Sequence, residues 1–372
     1  MKLKFIISLF IISFGNLYSQ SLEGIVVDSN TGEPISDASI FLNGTSINTK
    51  TNAKGTFTLL IDSIINTELI IKHVGYELYI IKNPFRTKFY NISLSQKENL
   101  LKEVVVSPFF SREEMLRAFE KQFLGESKAG KSCKILNEYD IELQYKPSSK
   151  CLVATAEKPL IINNKYLGYE VTFILKNFEV SFSKDNTLSS RYMQDIFYDG
   201  ISSFIDLKPN SKVVARRRRE VYKESVAYFF RNFVNRTIDS CGFKATINSE
   251  KLPSVIKDKN IQNPQRTKGG LRSQVLDHYF TMKDTLSMTM VKVNDKFNSQ
   301  SFISNNGVTA YMVLSAKYWN DLETQFVFQT DCIFIDRYGN ISNPDKVWIL
   351  GHMSKNRVGN LLPRNYDMDK SP

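Results

Sequence analysis

Histidine is scarce: the 372 residues contain three, His73, His278 and His352. None starts an HxxE or HExxH spacing, so the ligand sets of metallocarboxypeptidases and zincins are missing. The four cysteines, Cys133, Cys151, Cys241 and Cys332, form no CxxC pair, which removes zinc-ribbon and thioredoxin-like chemistry. No GxSxG elbow is present to place a serine nucleophile. No stretch beyond the first twenty residues approaches about 18 uninterrupted apolar positions, so no transmembrane helix is expected. No repeat recurs at a fixed period.

What is present begins with an export signal. Lys2 and Lys4 precede an apolar run, Phe5–Phe14, and Leu17-Tyr18-Ser19 ends in a small residue. That run is too short to span a bilayer and has the flanks of a secretory leader, with cleavage after Ser19 or Gln20. No cysteine lies near that point, which argues against a lipoprotein anchor. Export permits disulfides, and four thiols allow three full pairings. A Cys133–Cys151 bridge fits poorly. In a hairpin about Pro147–Lys150, Cys151 sits near the turn and Cys133 far down the partner strand, at about 3.4 Å per residue. Buried free thiols are the simpler expectation.

Apolar residues make up 42%, charged residues 23% and aromatics 12%, with 26 Phe and 17 Tyr. This is globular composition leaning towards β-structure. The formal charge of +11 permits an anionic partner without demanding one.

From Gly24 to Tyr76, short apolar runs alternate with turn chemistry. Leu22–Asp28 stops at Asp28-Ser29-Asn30-Thr31-Gly32, and Ile40-Phe41-Leu42 runs into Asn43-Gly44, a dipeptide suited to positive φ. Asn52-Ala53-Lys54-Gly55 makes a second turn, with the Asn side chain free to bond backbone amides. With Phe57–Ile61, Leu69–His73, Tyr76–Ile81 and Tyr90–Leu94, about seven strands predict a sandwich. The residues Gly24-x-Val26-x-Asp28, Thr31-Gly32-Glu33-Pro34, Ala38-Ser39-Ile40, Gly44-Thr45, Thr51-Asn52-x-x-Gly55-x-Phe57 and Val74-Gly75-Tyr76 resemble the carboxypeptidase-D-like regulatory domain. That family is abundant in Bacteroidota surface proteins. The resemblance implies a transthyretin-like β-sandwich that accompanies metallocarboxypeptidases and is not itself catalytic. Asn52 departs from the family's usual Asp, and either can cap the turn.

Lys97–Val106 reads as a connector. Its Glu103-Val104-Val105-Val106 resembles the segment after such sandwiches in outer-membrane receptors coupled to TonB, but about 260 residues cannot supply a plug and a 22-stranded barrel. Ser111–Leu124 is the clearest helix, with Ser111 and Glu114 set as a capping box and Met115, Phe119 and Phe123 on one face. Ile135–Phe182 reads as successive antiparallel strands. Val213–Val234 contains a second helix, and strand-like runs recur at Phe243–Ile247, Leu286–Val293, Tyr311–Ala316, Phe326–Ile335 and Val347–Leu350. Gly269-Gly270 and Asn305-Asn306-Gly307 mark loops. Phe123-Leu124-Gly125, Pro159-Leu160-Ile161-Ile162-x-x-Lys165-x-Leu167-Gly168-Tyr169, and Gly351-x-Met353-x-x-x-Arg357-Val358-Gly359 with Leu362-Pro363 resemble an uncharacterised Bacteroidota family that joins this region to the same sandwich. That resemblance implies architecture only.

Candidate sites are few. Arg216, Arg217, Arg218 and Arg219 form a possible anionic contact, since guanidinium forks suit phosphate and carboxylate. Four consecutive arginines spread around about one helical turn, however, and cannot all line one groove. Without interleaved aromatics no nucleic-acid partner is expected. His352 with Arg357 forms a possible polar pocket. Asp277-His278 places its side chains on opposite faces of a strand, and His73 reads as a sandwich histidine. Asp331, Asp336 and Asp345 are the carboxylates at strand ends or loops, and Asp336-Arg337-Tyr338-Gly339-Asn340 reads as a hairpin turn.

The expected fold class is mainly β with α+β character. A leader (1–19) precedes a transthyretin-like sandwich (20–96), a linker (97–110) and an antiparallel-sheet-rich α+β domain with a few helices (111–372). The expected function is an exported, non-catalytic binding or structural protein of the periplasm or outer membrane, with an envelope protein or glycan as partner and no cofactor. The alternative is a periplasmic glycan or peptide hydrolase using unidentified carboxylates. A small transmembrane barrel fits poorly, because the late strands lack an outward apolar band.

Overall fold

In the computed structural model, residues 20–62, 64–97, 109–235, 237–247, 250–251, 280–281, 288–292, 302–303, 309–310, 312–318, 322–330, 332–342 and 344–370 are described. Seven strands open the chain: β1 (Gln20–Asp28), β2 (Ser39–Leu42), β3 (Asn48–Lys50), β4 (Thr56–Ile61), β5 (Leu69–Lys72), β6 (Tyr79–Ile81) and β7 (Phe89–Leu94). They pair as β4–β1–β7 and β3–β2–β5–β6, with β1 and β7 parallel. Alternate residues of β4 turn inward, Phe57, Leu59 and Ile61, while Thr58 and Leu60 face out. Between the sheets lie Val26, Ile40, Leu42, Ile71 and Ile92, a β-sandwich core. The turn at Asn52 works as expected, its Oδ1 accepting the N–H groups of Lys54 and Thr56 at 2.9 and 3.2 Å.

One side chain in that core comes from far away. Tyr338, 5% exposed, packs among the sandwich's apolar residues. It sits in the turn after the strand Cys332–Asp336, and the turn's Asp336 accepts the backbone N–H of Asn66.

Helix α1 (Arg112–Leu124) carries the full capping box at Ser111 and Glu114. After a short α2 (Lys128–Lys131) come β8 (Cys133–Ile135), β9 (Ile141–Lys146), β10 (Cys151–Ala156), β11 (Leu160–Asn164), β12 (Tyr169–Phe182) and β13 (Met193–Asp206). The sheet runs β8–β11–β12–β10–β9, and β13 pairs along β12. Phe119 and Phe123 of α1 pack edge-on against Phe178 and Phe173 of β12, with ring centroids 4.7 and 5.2 Å apart.

The expected helix over 213–234 is two helices, α3 (Lys212–Lys223) and α4 (Val226–Val234). Ser225 makes the break: its hydroxyl accepts the N–H of Tyr228 and caps a new helix. The remaining strands are β14 (Phe243–Ile247), β15 (Glu250–Lys251), β16 (Phe280–Thr281), β17 (Met288–Lys292), β18 (Phe302–Ile303), β19 (Thr309–Ala310), β20 (Met312–Tyr318), β21 (Glu323–Phe328), β22 (Cys332–Asp336) and β23 (Val347–Gly351). They form sheets β15–β14–β20–β21–β23 and β16–β17–β22, and a β18–β19 pair. Helix α4 covers them through Phe229, which stacks on Phe326 at 5.1 Å. The region after α1 therefore holds two apolar cores, one under α1 and one under α4.

All four cysteines are free, and burial pushes the Cys133 thiol up to about 12. The leader, residues 98–108 of the linker, the glycine and asparagine loops at 269–270 and 305–307, His278 and Asp331 lie outside the described residues. Among the described residues no helix is long and apolar enough to cross a membrane.

Candidate functional site

Three parts of the chain meet around a cleft of about 640 Å3. The sandwich contributes one wall from its two edge strands, with Asn48 and Thr49 on β3 and Thr58 and Leu60 on β4, followed by Asp62. The opposite wall is Tyr169 on β12, Asp206 at the end of β13, and Arg218 on α3. The segment Pro363–Asp367 and Tyr338 close the third side.

The opposite wall is held by Arg218. Its Nη1 and Nη2 each donate to one oxygen of Asp206 at 2.7 Å. Its Nε and Nη2 also donate to the carbonyls of Leu167 and Gly168. The guanidinium lies 3.8 Å from the centroid of the Tyr169 ring. Burial raises the Asp206 carboxyl, but the bonds from Arg218 outweigh it and leave the group below the ordinary carboxylate range. Burial likewise pushes the Tyr169 phenol up.

The third side is a strap. Arg364 donates its backbone N–H to Gly44 at 2.7 Å and Nη1 to the carbonyl of Asn66 at 2.9 Å, while its own carbonyl accepts from Asn340 Nδ2. Gly44 adopts φ +75°, and a Cβ there would come within 3.0 Å of the Arg364 side chain. The same glycine donates to Ser202 on β13, and Thr45 bridges Ser203. Next along the strap, Asn365 and Ser46 exchange bonds between side chains and backbone. Asp367 pairs with Arg231 at 3.4 Å and Arg337 at 3.7 Å.

The four arginines singled out in the sequence diverge. Arg216 reaches exposed Glu220 at 3.8 Å, Arg217 lies over Tyr166, Arg218 is buried at the cleft, and Arg219 is half-buried. His352 Nε2 lies 3.9 Å from Glu224. Arg357 donates to the carbonyls of Ser354 and Asn356, and neither His352 nor Arg357 lines the cleft. Of the carboxylates, Asp345 is exposed beside Lys346 and Asp336 is buried in its turn. His73 meets Tyr76 edge-on at 5.3 Å. Among the described residues no group of three or more His, Cys, Asp or Glu is placed to hold a metal.

The cleft residues Asp206, Tyr338 and Asn365 were not singled out for a site. Next to them the Leu167-Gly168-Tyr169 string did carry a signal, and it supplies the carbonyls and ring that receive Arg218.

No curated protein matches the chain. Among solved structures, a Bacteroides fragilis protein provisionally described as membrane-associated and of unknown function is similar at 11% identity, over 51% of this chain and 82% of its own, with a TM-score of 0.17. A Bacteroides uniformis protein provisionally described as a carbohydrate binding protein is similar at 10% identity, over 52% and 82%, with the same TM-score. At that TM-score neither likeness carries an argument. The family comparison is specific to one part of the chain: residues 22–106, which contain nearly all of the sandwich, match the model of the CarboxypepD_reg-like domain.

Proposed function

We propose that the chain is an exported, non-catalytic binding protein of the periplasm or outer-membrane surface. In this reading the leader (1–19) is removed, and the sandwich (20–96) and the domain after the linker (111–372) together present one cleft to a ligand. The observation that carries it is the cleft itself, of a volume suited to a small ligand and walled by both parts. Its geometry is pinned by Arg364 and by the Asn66–Asp336 bond, so the walls are set before a ligand arrives. Export is supported by Lys2, Lys4 and the Phe5–Phe14 run. A glycosidase of the two-carboxylate kind needs them about 5–9.5 Å apart and available to one bond. Of the cleft's described carboxylates, Asp62, Asp206 and Asp367, the last two are each engaged by a guanidinium, which favours binding over turnover.

Cell fractionation and calorimetric titration test the reading. The shortened chain should be recovered from the envelope, and solubilised envelope glycans or peptides should give saturable heat that Thr58→Trp, which fills the cleft, abolishes. Recovery of the intact chain in the cytosol would overturn export. Turnover of a peptide or sugar that is lost on changing one aspartate would overturn the binding role.

A further inference from the structure

We infer that the cleft takes an uncharged, hydroxyl-rich ligand, a neutral oligosaccharide, and excludes the anionic partner that a net charge of +11 invites. This rests on the cleft being a ligand site.

The charge inside the cleft runs opposite to that of the whole chain. Among the described residues its lining holds one cation, Arg218, and three carboxylates, Asp62, Asp206 and Asp367. Arg218 spends its fork on Asp206 and its remaining bonds on two backbone carbonyls. The cations behind the strap, Arg231 and Arg337, pair with Asp367. Among the described residues no guanidinium in the lining is left to meet a phosphate, sulfate or uronate, and exposed Asp62 at the rim repels one.

The hydrogen-bonding groups that remain are mostly neutral and two-way. Thr49 and Thr58 offer hydroxyls that both donate and accept, as sugar hydroxyls do, and Asn48 and Asn365 add amides. Asp62 can accept from a hydroxyl in a charge-assisted bond. Among these stand apolar surfaces, exposed Pro209 and Leu60, the latter 67% exposed. A sugar ring presents the same mixture, with hydroxyls at its rim and C–H groups on its faces. An extended peptide fits less well. Strand addition needs a length of free edge, β3 has only three residues, and Asn365 already closes on Ser46 at its entrance.

The test is isothermal titration of the protein with neutral hexasaccharides of gluco, manno, galacto and xylo configuration, with hexagalacturonate, and with a Thr/Val/Ala decapeptide. At least one neutral sugar should bind, with an affinity insensitive to added salt. Thr49→Val with Thr58→Val should weaken it about tenfold or more, equivalent to about 1.4 kcal/mol, with the melting curve unchanged. Neutral-sugar binding that the double variant leaves intact would overturn the inference, since the sugar would then sit elsewhere. If only hexagalacturonate or the peptide binds, and Thr58→Trp abolishes that binding, the ligand class is wrong while the cleft reading survives. If no probe binds at millimolar concentration, both fall.

Discussion

Asp336 Oδ2 accepts the backbone N–H of Asn66 at 3.0 Å, joining residues 270 positions apart. The other oxygen accepts from the N–H groups of Tyr338 and Asn340, both at 2.9 Å. One buried carboxylate thus shapes its own turn and ties that turn to the sandwich.

Replacing Asp336 with Ala should leave those amides without an acceptor. With the side chain 1% exposed, the expected loss is about 2–3 kcal/mol, read as a lower midpoint in urea. The slope of the transition should stay the same.

Tyr338→Ala removes an aromatic side chain from the sandwich core, for an expected cost of about 3–5 kcal/mol. Hydrogen exchange locates the effect. Amides of β1, β2 and β5 should lose protection, although the substitution lies more than two hundred residues away from them in the chain.

Asp28 contributes to the acid limb. Its carboxylate accepts from Gln96 Nε2, the backbone N–H of Thr31, the Tyr76 hydroxyl and the backbone N–H of Asn30, which together hold it well below the usual carboxylate range against the opposing effect of burial. A group with a depressed native pKa stabilises the fold above its unfolded value of about 3.9, and that stability fades as pH falls below it. The melting temperature should drop more steeply between about pH 5 and pH 3 in the parent than in Asp28→Asn, which has no proton to take up.

Arg218→Met leaves Asp206 facing the cleft without its guanidinium. Full burial would put the cost at about 3–5 kcal/mol, but Asp206 is 31% exposed and water offsets part, so about 2 kcal/mol is expected. Arg218→Met combined with Asp206→Asn should recover some of this, measured as a double-mutant cycle in urea.

Local chemistry was legible where neighbours in the chain decide the outcome. Ser111 and Glu114 cap α1 because the partners are three residues apart, and the turn at Asn52 closes on residues it can reach. Asp28 and Tyr76 belong to the motifs that carried the family resemblance, and their 2.8 Å bond gives both a physical reason. Strand β13 was not anticipated, since the strand-like runs stop at Phe182 and the next element begins at Val213. Gly200 is there for space: a Cβ would lie 2.3 Å from the Phe173 ring and 2.5 Å from the Ile174 carbonyl across the sheet. Arg218 could not be told from its three neighbours, since its distinction is Asp206, and nothing local marks that partner. Tyr338 read correctly as a turn residue, but where a turn's side chain is buried is decided by whatever packs above it.

The arrangement has a bearing on the order in which the molecule is made. The sandwich leaves the ribosome before Tyr338 and Arg364, which complete its interior and fasten its loops from more than two hundred residues further along. Until they follow, the earlier module lacks the Tyr338 ring in its core and the Arg364 bond to its Asn66 loop.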